Sequence, residues 1–402
     1  MTWTRGSAAQ TSSDSSRSSA TVDSWRFGTR SVDGFPAVAA FIAGAPRQWS
    51  DLQIHEDALL ELCSSEGLSA LCFHRFSQLP AKAGWPPRLL ECLSDAARTE
   101  AGEELLRGVE TRAVLEALTR AGVRPILIKG TPLAYTVYDA PALRPREDTD
   151  LLIASADVEM ARRVLSSLGY SATVYCDDVF SQFEMQRVDP FGVCHVFDIH
   201  WKISTQAVFD GVLTYDDMLS RAQPAPRLSP HAMAAGAVDA LLLACIHPVM
   251  HHRNEQRLLW IYDIHLLAGR LSAHQFAEFT FLAGQKQVAG ICAHQLRVSQ
   301  AVFQTALPPG VIADLSRPGD PEPSAAYLAS HRRWHHELAS SIRELPGFGA
   351  RIKLLRDVLL PRPAYMLSTY GLRGKPLAMW LLPALYVHRN VRGAWKILTG
   401  KK

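Results

Sequence analysis

The chain has 402 residues, of which 48% are hydrophobic and 20% charged, and its formal net charge at pH 7 is +3. This composition describes a globular protein that can bury a sizeable core in two or three domains, and it argues against a disordered chain. A net charge this small gives no argument for nucleic-acid binding by itself.

The seven cysteines are scattered along the chain and include no Cys-x-x-Cys pair. Such a set favours reduced thiols over a disulfide framework or a zinc module, and it predicts a cytoplasmic location. No apolar stretch follows a basic N-terminus, so no signal peptide is predicted. The longest apolar run near the end, residues 376–387, is too short to span a bilayer.

The first third of the chain divides into a tail and a helical segment. Residues 1–32 are rich in Ser, Thr and Arg and predict a disordered tail. Residues 33–122 are predicted to form an N-terminal helical segment, because Leu and Val recur at helical spacing between Leu59 and Leu118. Gly122 is placed to end the last of these helices at the C′ position.

An α/β core is predicted over residues 123–203, and it begins with a short buried strand at residues 125–129. Gly130 and Thr131 then turn the chain into a helix, for which Thr131 is the expected N-cap and Pro132 the first helical residue. A glycine lets phosphates approach the backbone, and a helix N-terminus favours anions. The turn therefore indicates a phosphate site.

The next predicted strand carries a pair of carboxylates. Asp148 and Asp150 stand at i and i+2 before the apolar run at residues 151–153, so both project from one face of a strand. Two like charges this close need a positive partner, and a hard divalent cation such as Mg²⁺ is the usual one. The pattern therefore predicts a metal site.

A third carboxylate comes from the end of the α/β core. A helix is predicted at residues 157–168, strands at 171–175, 179–188 and 193–201, and a turn at 189–192. In the last strand, Val196, Asp198 and His200 alternate onto one face. Asp198 is in phase to join the Asp148 and Asp150 pair if the two strands are neighbours.

Residues 204–402 are predicted to be a C-terminal helical region. Three histidines end one of its apolar helices: His247, His251 and His252. A His-x-x-x-His spacing can bind zinc, but Pro248 stands where a metalloprotease has its Glu, and we interpret the histidines as lining the domain cleft. Asp263 and His265 on the next helix either face this cluster or form a buried hydrogen-bonded pair.

Basic residues concentrate toward the C-terminus. They are Arg351, Lys353, Arg356, Arg362, Arg373, Lys375, Arg389, Arg392, Lys396, Lys401 and Lys402. We interpret them as a solvated helical face, which is the usual meaning of such a pattern. The alternative is a surface that receives an anionic acceptor.

Several of these motifs together resemble a known family. The residues that carry the resemblance are 127–131, Tyr138, Arg144, Pro145 and 148–153. They resemble the signature of the nucleotidyltransferase superfamily with the polymerase β-type palm, and in particular its bacterial "nucleotidyltransferase family protein" branch. Further similar pieces are residues 197–201, 258–264 and 383–389, so that the resemblance covers roughly residues 35–398. Two features depart from it: sixteen residues separate Thr131 from Asp148, and Thr149 replaces the usual apolar residue.

The resemblance implies an α+β fold, in which a small mixed β-sheet palm is flanked by the N-terminal helical segment and the large C-terminal helical region. It implies a metal-dependent enzyme that transfers a nucleoside monophosphate from a nucleoside triphosphate (NTP), such as ATP, with Mg²⁺ or Mn²⁺ as cofactor. Asp148 and Asp150 would bind the metals, and Asp198 would complete the metal nearer the acceptor and take its proton. Two metal ions roughly 4 Å apart can stabilise the attacking and leaving oxygens.

The resemblance also implies a phosphate-binding side of the site. Gly130 and Thr131 would hold the β- and γ-phosphates, which Lys129 would neutralise as a point charge. Arg144 would clamp a phosphate oxygen in bidentate fashion. The alternative for Lys129 is a surface lysine at the end of a strand. The alternative for Arg144 is a loop arginine paired with Glu147.

The acceptor is left open by the sequence, as are the base and the oligomeric state. A small molecule or a peptide is favoured by analogy with the family, and no membrane span is expected. The alternatives are a toxin-like nucleotidyltransferase that acts on tRNA or protein, a non-catalytic nucleotide-binding scaffold with the same fold, and a phosphotransferase that uses the γ-phosphate.

Overall fold

The N-terminal third of the chain is mainly helical. The computed structural model describes residues 26–27, 30–31, 35–80, 84–173, 181–317, 322–329, 339, 342–343, 347–361, 363–372, 375 and 378–399. The predicted tail therefore lies outside the described residues, apart from two short antiparallel strands, β1 (Arg26–Phe27) and β2 (Arg30–Ser31). The helices that follow are α1 (Phe35–Ile42), a 3₁₀ turn (Trp49–Leu52), α2 (Glu56–Glu66), α3 (Ser69–Ser77) and α4 (Pro87–Arg120).

Helix α4 ends as the sequence predicts. Gly122 has φ +86°, its N–H donates to Thr119 O at 3.0 Å, and the N–H of Val123 donates to Leu118 O at 3.0 Å. These two bonds form a Schellman motif, which a glycine at C′ stabilises. The motif turns the chain directly into the first strand of the central sheet.

A mixed seven-stranded sheet forms the centre of the α/β core. Its strands are β3 (Ile126–Leu127), β4 (Asp148–Leu152), β5 (Ser171–Ala172), β6 (Gln182–Val188), β7 (Cys194–His200), β8 (Gln223–Pro224) and β9 (Met233–Ala234). They lie in the order β5-β6-β7-β4-β3-β9-β8, with parallel pairing for β4–β7 and β3–β9 and antiparallel pairing elsewhere. The predicted small mixed sheet is therefore confirmed.

Short elements connect these strands. They are α5 (Gly130–Thr136), two 3₁₀ turns (Pro141–Leu143 and Ser155–Asp157) and α6 (Val158–Ser167). The strand predicted at 125–129 has only two residues in ladder pairing, and α5 begins two residues before the predicted start at Pro132. Parts of the strands predicted at 171–175 and 179–188 fall on residues 174–180, outside the described residues.

The two faces of the sheet bury different partners. Leu151, Phe197 and Ile199 pack in one core with apolar residues of α4 and α6. Leu152 and Ile126 point to the opposite face and belong to a second, larger core. Because side chains alternate along a strand, Asp148 and Asp150 project toward the second face.

Apart from β8 and β9, the described elements of the C-terminal region are helices and 3₁₀ turns. They are α7 (Ala207–Asp210), α8 (Tyr215–Arg221), α9 (Ala237–His251), α10 (Leu258–Ala268), α11 (Ala273–Gln285), α12 (Ala289–Phe303), α13 (Val311–Leu315), a 3₁₀ turn (Pro323–Leu328), α14 (Gly347–Leu359), α15 (Pro363–Thr369), a 3₁₀ turn (Ala378–Leu381) and α16 (Leu382–Thr399). Helices α9 and α10 are apolar around most of their circumference, as expected of buried helices. They share one core with α1–α3.

Two expectations from composition concern the whole chain. Within the ranges that the structure describes, all six cysteines are free thiols, whereas Cys176 lies outside them. None of the described helices is long and apolar enough to cross a membrane.

Candidate active site

Two acidic side chains meet on adjacent strands of the sheet. In the parallel pair β4–β7, Asp150 is the register partner of Asp198, and Leu152 is the register partner of His200. Register partners project to the same face of a sheet. The strands of Asp150 and Asp198 are therefore neighbours, as the prediction that Asp198 joins the Asp-x-Asp pair requires. One Asp150 carboxylate oxygen, one Asp198 carboxylate oxygen and one His200 nitrogen lie within 4.8 Å of one another.

His200 connects the two carboxylates. Its Nε2 lies 2.9 Å from Asp150 Oδ1 and 3.1 Å from Asp198 Oδ2. Burial and the charge of Lys129 oppose protonation, but the two carboxylates outweigh them and raise the pKa of His200. His200 was placed on this face by the alternation of the sequence but was not assigned a role there.

A second cation comes from the end of β3. Lys129 Nζ lies 2.5 Å from Asp150 Oδ1 and 3.4 Å from His200 Nε2, and only 18% of its side chain is exposed. The backbone of Lys129 has φ +57° and ψ −130°, a conformation that costs a non-glycine residue roughly 1–3 kcal/mol. The alternative of a surface lysine at a strand end therefore does not describe this side chain.

The two aspartates of the Asp-x-Asp motif differ in charge state. Burial alone would raise the pKa of Asp150, but the ammonium of Lys129 and the hydrogen bond from His200 hold it below its usual range. For Asp148, the negative charge of Asp150 is the largest influence, and it raises the pKa to about 7. Asp148 is exposed and lies two residues before Asp150 on the same face, so its carboxylate lacks a full counter-charge.

The donor set fits a divalent cation. Among the described residues, Asp198 Oδ1 and His200 Nδ1 are buried atoms without a hydrogen-bond partner, which is uncommon for buried polar atoms. Carboxylate oxygens suit Mg²⁺ and Mn²⁺, whereas an imidazole nitrogen also admits other transition metals. The group of Asp150, Asp198 and His200 could therefore hold a divalent cation, but it does not select one. Asp148 is not a member of this group.

A buried ion pair fixes strand β4 to helix α4. Arg146 donates from Nε to Glu104 Oε2 at 2.9 Å, and from Nη1 to Thr149 Oγ1 at 2.5 Å and Asp148 O at 3.2 Å. Tyr135 of α5 donates to the other oxygen of Glu104 at 2.7 Å. Glu104 thus connects helix α4 to α5 through Tyr135 and to the start of β4 through Arg146. The hydroxyl of Thr149 accepts a hydrogen bond from Arg146, which an apolar side chain at this position could not do.

Arg144 also has a buried partner. Its Nη2 donates to Asp263 Oδ2 at 2.7 Å and its Nε to Asp263 Oδ1 at 3.3 Å, while Tyr138 donates to Oδ1 at 2.8 Å. Among the described residues, Arg144 therefore pairs with Asp263 rather than with Glu147. Asp263 in turn accepts from Arg144 and Tyr138 rather than facing the histidine cluster. A Cβ added to Gly130 would lie 2.8 Å from the guanidinium carbon of Arg144, so that the glycine is required for this packing.

Thr131 occupies a different position from the one predicted. Lys129, not Thr131, is the N-cap residue of α5, and Thr131 is the second helical residue. Both Gly130 and Thr131 are buried. Helix α5 therefore begins two residues earlier than the prediction from Thr131 and Pro132.

The histidine cluster at the end of α9 packs as a group of rings. The ring of His252 lies 4.5 Å from that of Trp260 and 4.8 Å from that of His247, centroid to centroid, and His251 Nε2 lies 3.1 Å from Ile203 O. Desolvation, followed by the charge of Lys129, lowers the pKa of His247 well below its usual value. The same two causes lower the pKa of His251 to about 3, although part of this residue is exposed to solvent. In the described part of the chain these histidines form no group of metal ligands. His247 lines the cavity described next, whereas His251 and His252 do not.

A cavity of about 210 Å³ is reached by Lys129, the residue that contacts Asp150. Its polar side is formed by Lys129, Gly130, Arg144, His247 and Asp263. Most of the remaining lining is apolar and comes from small and aliphatic side chains of α5, α9 and α10 and from alanines near β9. Ligand pockets commonly combine an apolar wall with a few polar groups.

The fold and the site together define the class of this protein: it is an α+β protein with a nucleotidyltransferase-type domain. A family model described as "Uncharacterised nucleotidyltransferase" matches residues 53–304. Because this match covers more than half of the 402 residues, the chain belongs to that family. A search of curated proteins finds no match.

Proposed function

We propose that this protein transfers a nucleoside monophosphate from an NTP to an acceptor hydroxyl or phosphate, with a divalent cation as cofactor and a polymerase β-type palm as its catalytic unit. The observation that carries the proposal is the pairing of Asp150 with Asp198 across parallel strands, within a chain that belongs to a nucleotidyltransferase family. Because NTPs are supplied in the cytoplasm, we place the reaction there.

In this reaction the acceptor oxygen attacks the α-phosphorus. A new P–O bond forms, the bond between the α-phosphorus and its bridging oxygen to the β-phosphate breaks, and pyrophosphate leaves. The acceptor's proton passes to a base, for which Asp198 is our candidate. When bound to Asp148, Asp150 and Asp198, Mg²⁺ or Mn²⁺ would supply Lewis-acid stabilisation of the charge that develops on the oxygens.

Two basic residues of the site, Lys129 and Arg144, are assigned to binding of the triphosphate. We propose that Lys129 moves from Asp150 toward the β- and γ-phosphates, beside the backbone of Gly130 and Thr131. Arg144 lies against Gly130 and lines the same cavity, but Asp263 already accepts two of its donors. We therefore assign Arg144 an electrostatic role in phosphate binding rather than the bidentate clamp that the sequence indicates.

The cavity is assigned to the substrate atoms next to the reacting phosphate. At about 210 Å³, it can hold a nucleobase or part of a small acceptor, and its apolar wall favours a flat or aliphatic group. Such dimensions support a small molecule or an exposed peptide side chain as acceptor. A tRNA or a folded protein remains the second hypothesis, as in toxin-like enzymes.

The proposal is tested with α-³²P-labelled NTPs, Mg²⁺ or Mn²⁺ and a fractionated cell extract. We expect label in a new species and release of pyrophosphate. Asp198→Asn should lower the rate at least about a hundredfold, since metal stabilisation contributes several kcal/mol and each 1.36 kcal/mol is tenfold in rate. Asp216→Asn, an exposed aspartate on α8, is the matched control and should retain the rate.

Other outcomes separate the alternatives. Transfer of label from γ-³²P-NTP but not from α-³²P-NTP would identify a phosphotransferase. Metal-dependent nucleotide binding without transfer to any fraction would favour the non-catalytic scaffold. Equal transfer by Asp198→Asn and the unsubstituted protein would contradict the assignment of the site.

A further inference from the structure

The last 56 residues differ in charge from the rest of the protein. Residues 347–402 contain eleven lysines and arginines and one acidic residue, Asp357, and so carry a net charge of +10. Since the whole chain has a net charge of +3, residues 1–346 carry −7. An asymmetry of this size indicates a surface that meets an anionic partner.

Helix α14 within this segment exposes an apolar stripe. Four of its residues recur at i, i+4, i+7 and i+11, which is one face of a helix. Their exposed fractions are 77% for Phe348, 49% for Ile352, 37% for Leu355 and 48% for Leu359. A soluble surface rarely leaves large apolar side chains in such a row without a partner.

A second exposed apolar group follows in the same segment. Trp380 in the 3₁₀ turn is 82% exposed, and Val387 and Val391, one turn apart on α16, are 64% and 63% exposed. Helix α16 packs against the end of α14, because Arg389 and Asn390 donate to the carbonyls of Val358 and Leu359 at 2.8 and 3.0 Å. Both apolar groups therefore belong to one packed set of helices.

We propose that α14, the 3₁₀ turn Ala378–Leu381 and α16, within this basic segment, form an interfacial binding surface for an anionic lipid bilayer. Amphipathic helices with basic flanks and exposed Trp, Phe and Leu lie in the plane of a membrane with their apolar face inserted roughly 5–10 Å. Each nearby Lys or Arg adds attraction to anionic headgroups. The surface lies on the bilayer, since no described helix can span it.

The apolar stripe favours a bilayer over two other partners. Nucleic acids are bound through phosphate contacts and aromatic stacking. The aliphatic side chains of Ile352, Leu355 and Leu359 can make neither contact. A second copy of the same segment would bring two surfaces of net charge +10 together, and like charges repel. A bilayer with anionic headgroups satisfies both the charge and the apolar area.

The test is co-sedimentation of the full chain with vesicles. We expect binding to vesicles of phosphatidylglycerol and phosphatidylcholine in a 1:3 ratio, little binding to pure phosphatidylcholine, and weakening as salt is raised. The triple variant Phe348→Ser/Ile352→Ser/Leu355→Ser should bind at least tenfold more weakly. Phe281→Ser, which removes a 70% exposed phenylalanine from α11, is the matched control and should bind like the unsubstituted protein.

A second variant tests the charge without touching the stripe. Lys353→Glu/Arg392→Glu should weaken binding to the anionic vesicles about tenfold, whereas Arg163→Glu, an exposed reversal on α6, should not. Thermal melting of all variants checks that they fold, as expected for exposed positions. The proposal is overturned by absent binding to anionic vesicles, by equal binding of the stripe variant, or by a stripe-dependent dimer or stripe-dependent RNA binding in place of vesicle binding.

Discussion

Asp150 and Asp198 are register partners in the parallel pair β4–β7, and the imidazole of His200 lies within 3.1 Å of both. Lys129 Nζ contacts the same oxygen of Asp150 as His200 Nε2, so that the carboxylates are compensated by a lysine ammonium and by a histidine whose pKa is raised. A metal ion that binds here must therefore compete with Lys129 and His200. Metal affinity and the stability of the site are consequently linked, and the individual carboxylates are expected to respond differently to substitution.

The first prediction separates the two aspartates of the Asp-x-Asp motif. Asp150→Asn leaves Lys129 and His200 without their shared counter-charge, and we expect it to lower the free energy of unfolding by about 3 kcal/mol, as for other broken buried ion pairs. Asp148→Asn instead removes a charge that is repelled by Asp150, so that stability should be unchanged or higher by up to about 1 kcal/mol, a figure reduced for solvent screening. Urea unfolding at pH 8 with EDTA measures both. A larger loss for Asp148→Asn than for Asp150→Asn would contradict the charge pattern of the site.

Both substitutions should nonetheless remove metal-dependent activity in the proposed reaction. If the two aspartates acted only as metal ligands, either could be replaced with the fold intact. The contact of Asp150 with Lys129 changes that expectation for Asp150 alone. Measuring stability beside activity therefore distinguishes a lost metal ligand from a damaged fold.

The second prediction concerns Glu104, which holds β4 and α5 to helix α4. Glu104→Gln leaves the guanidinium of Arg146 buried without a carboxylate, and we expect a loss of about 3 kcal/mol in the free energy of unfolding. The preceding residue supplies the control: Glu103→Gln breaks only a partly exposed i, i+4 pair with Arg107, which is worth about 0.5 kcal/mol. Equal effects of the two substitutions in differential scanning calorimetry would show that Glu104 does not anchor the site.

The sequence predicts the parts of the site that depend on local alternation. A strand has a side-chain period of two, so that Asp150 and Asp198 could be assigned to faces before their strands were known to be neighbours. The glycine at the end of α4 likewise has a local cause, because Gly122 must adopt a positive φ. The α+β class is implied by the resemblance to the nucleotidyltransferase superfamily, and the helical and strand periodicities agree with it.

The parts that could not be predicted depend on contacts between distant segments. Glu104 is 42 residues from Arg146, and Asp263 is 119 residues from Arg144. Nothing local to these residues distinguishes them from exposed charges. His200 is intermediate: its i+2 spacing from Asp198 is a signal in the sequence, but its contact with Asp150 requires the β4–β7 pairing.

The third prediction tests why residue 130 is a glycine. In Gly130→Ala, the new methyl group must displace the guanidinium of Arg144, which Asp263 holds in place, and we expect a loss of roughly 2–3 kcal/mol. In Gly102→Ala, on the exposed face of α4, a Cβ meets nothing within 4 Å, and the higher helix propensity of alanine should stabilise the protein by about 0.5–1 kcal/mol. The two Gly→Ala substitutions thus have opposite signs in a chemical denaturation experiment. Stabilisation by both would show that Arg144 is free to move.

The fourth prediction is a pH dependence of stability. The pKa of His247 lies well below its usual value and that of His251 is about 3, so the unfolded chain binds protons below about pH 6.5 that the folded chain does not. Stability is therefore fully present above pH 6.5 and is lost as the pH falls. In His251→Gln the side chain can still donate to the carbonyl of Ile203 but cannot titrate, and the loss between pH 7 and pH 5 should be smaller than in the unsubstituted protein by about 1 kcal/mol.

The control for this experiment is His274→Gln, at an exposed position of α11, which should leave the pH dependence as it is in the unsubstituted protein. Melting temperatures at half-unit pH steps, with EDTA to exclude metal ions, give the comparison. Because His200 has a raised pKa, its contribution has the opposite sign: it is present below pH 6.5 and is lost as the pH rises through the folded pKa. The difference between His251→Gln and the unsubstituted protein isolates His251 from this opposing effect. Parallel curves for the two proteins would show that His251 takes up protons equally in the folded and unfolded states.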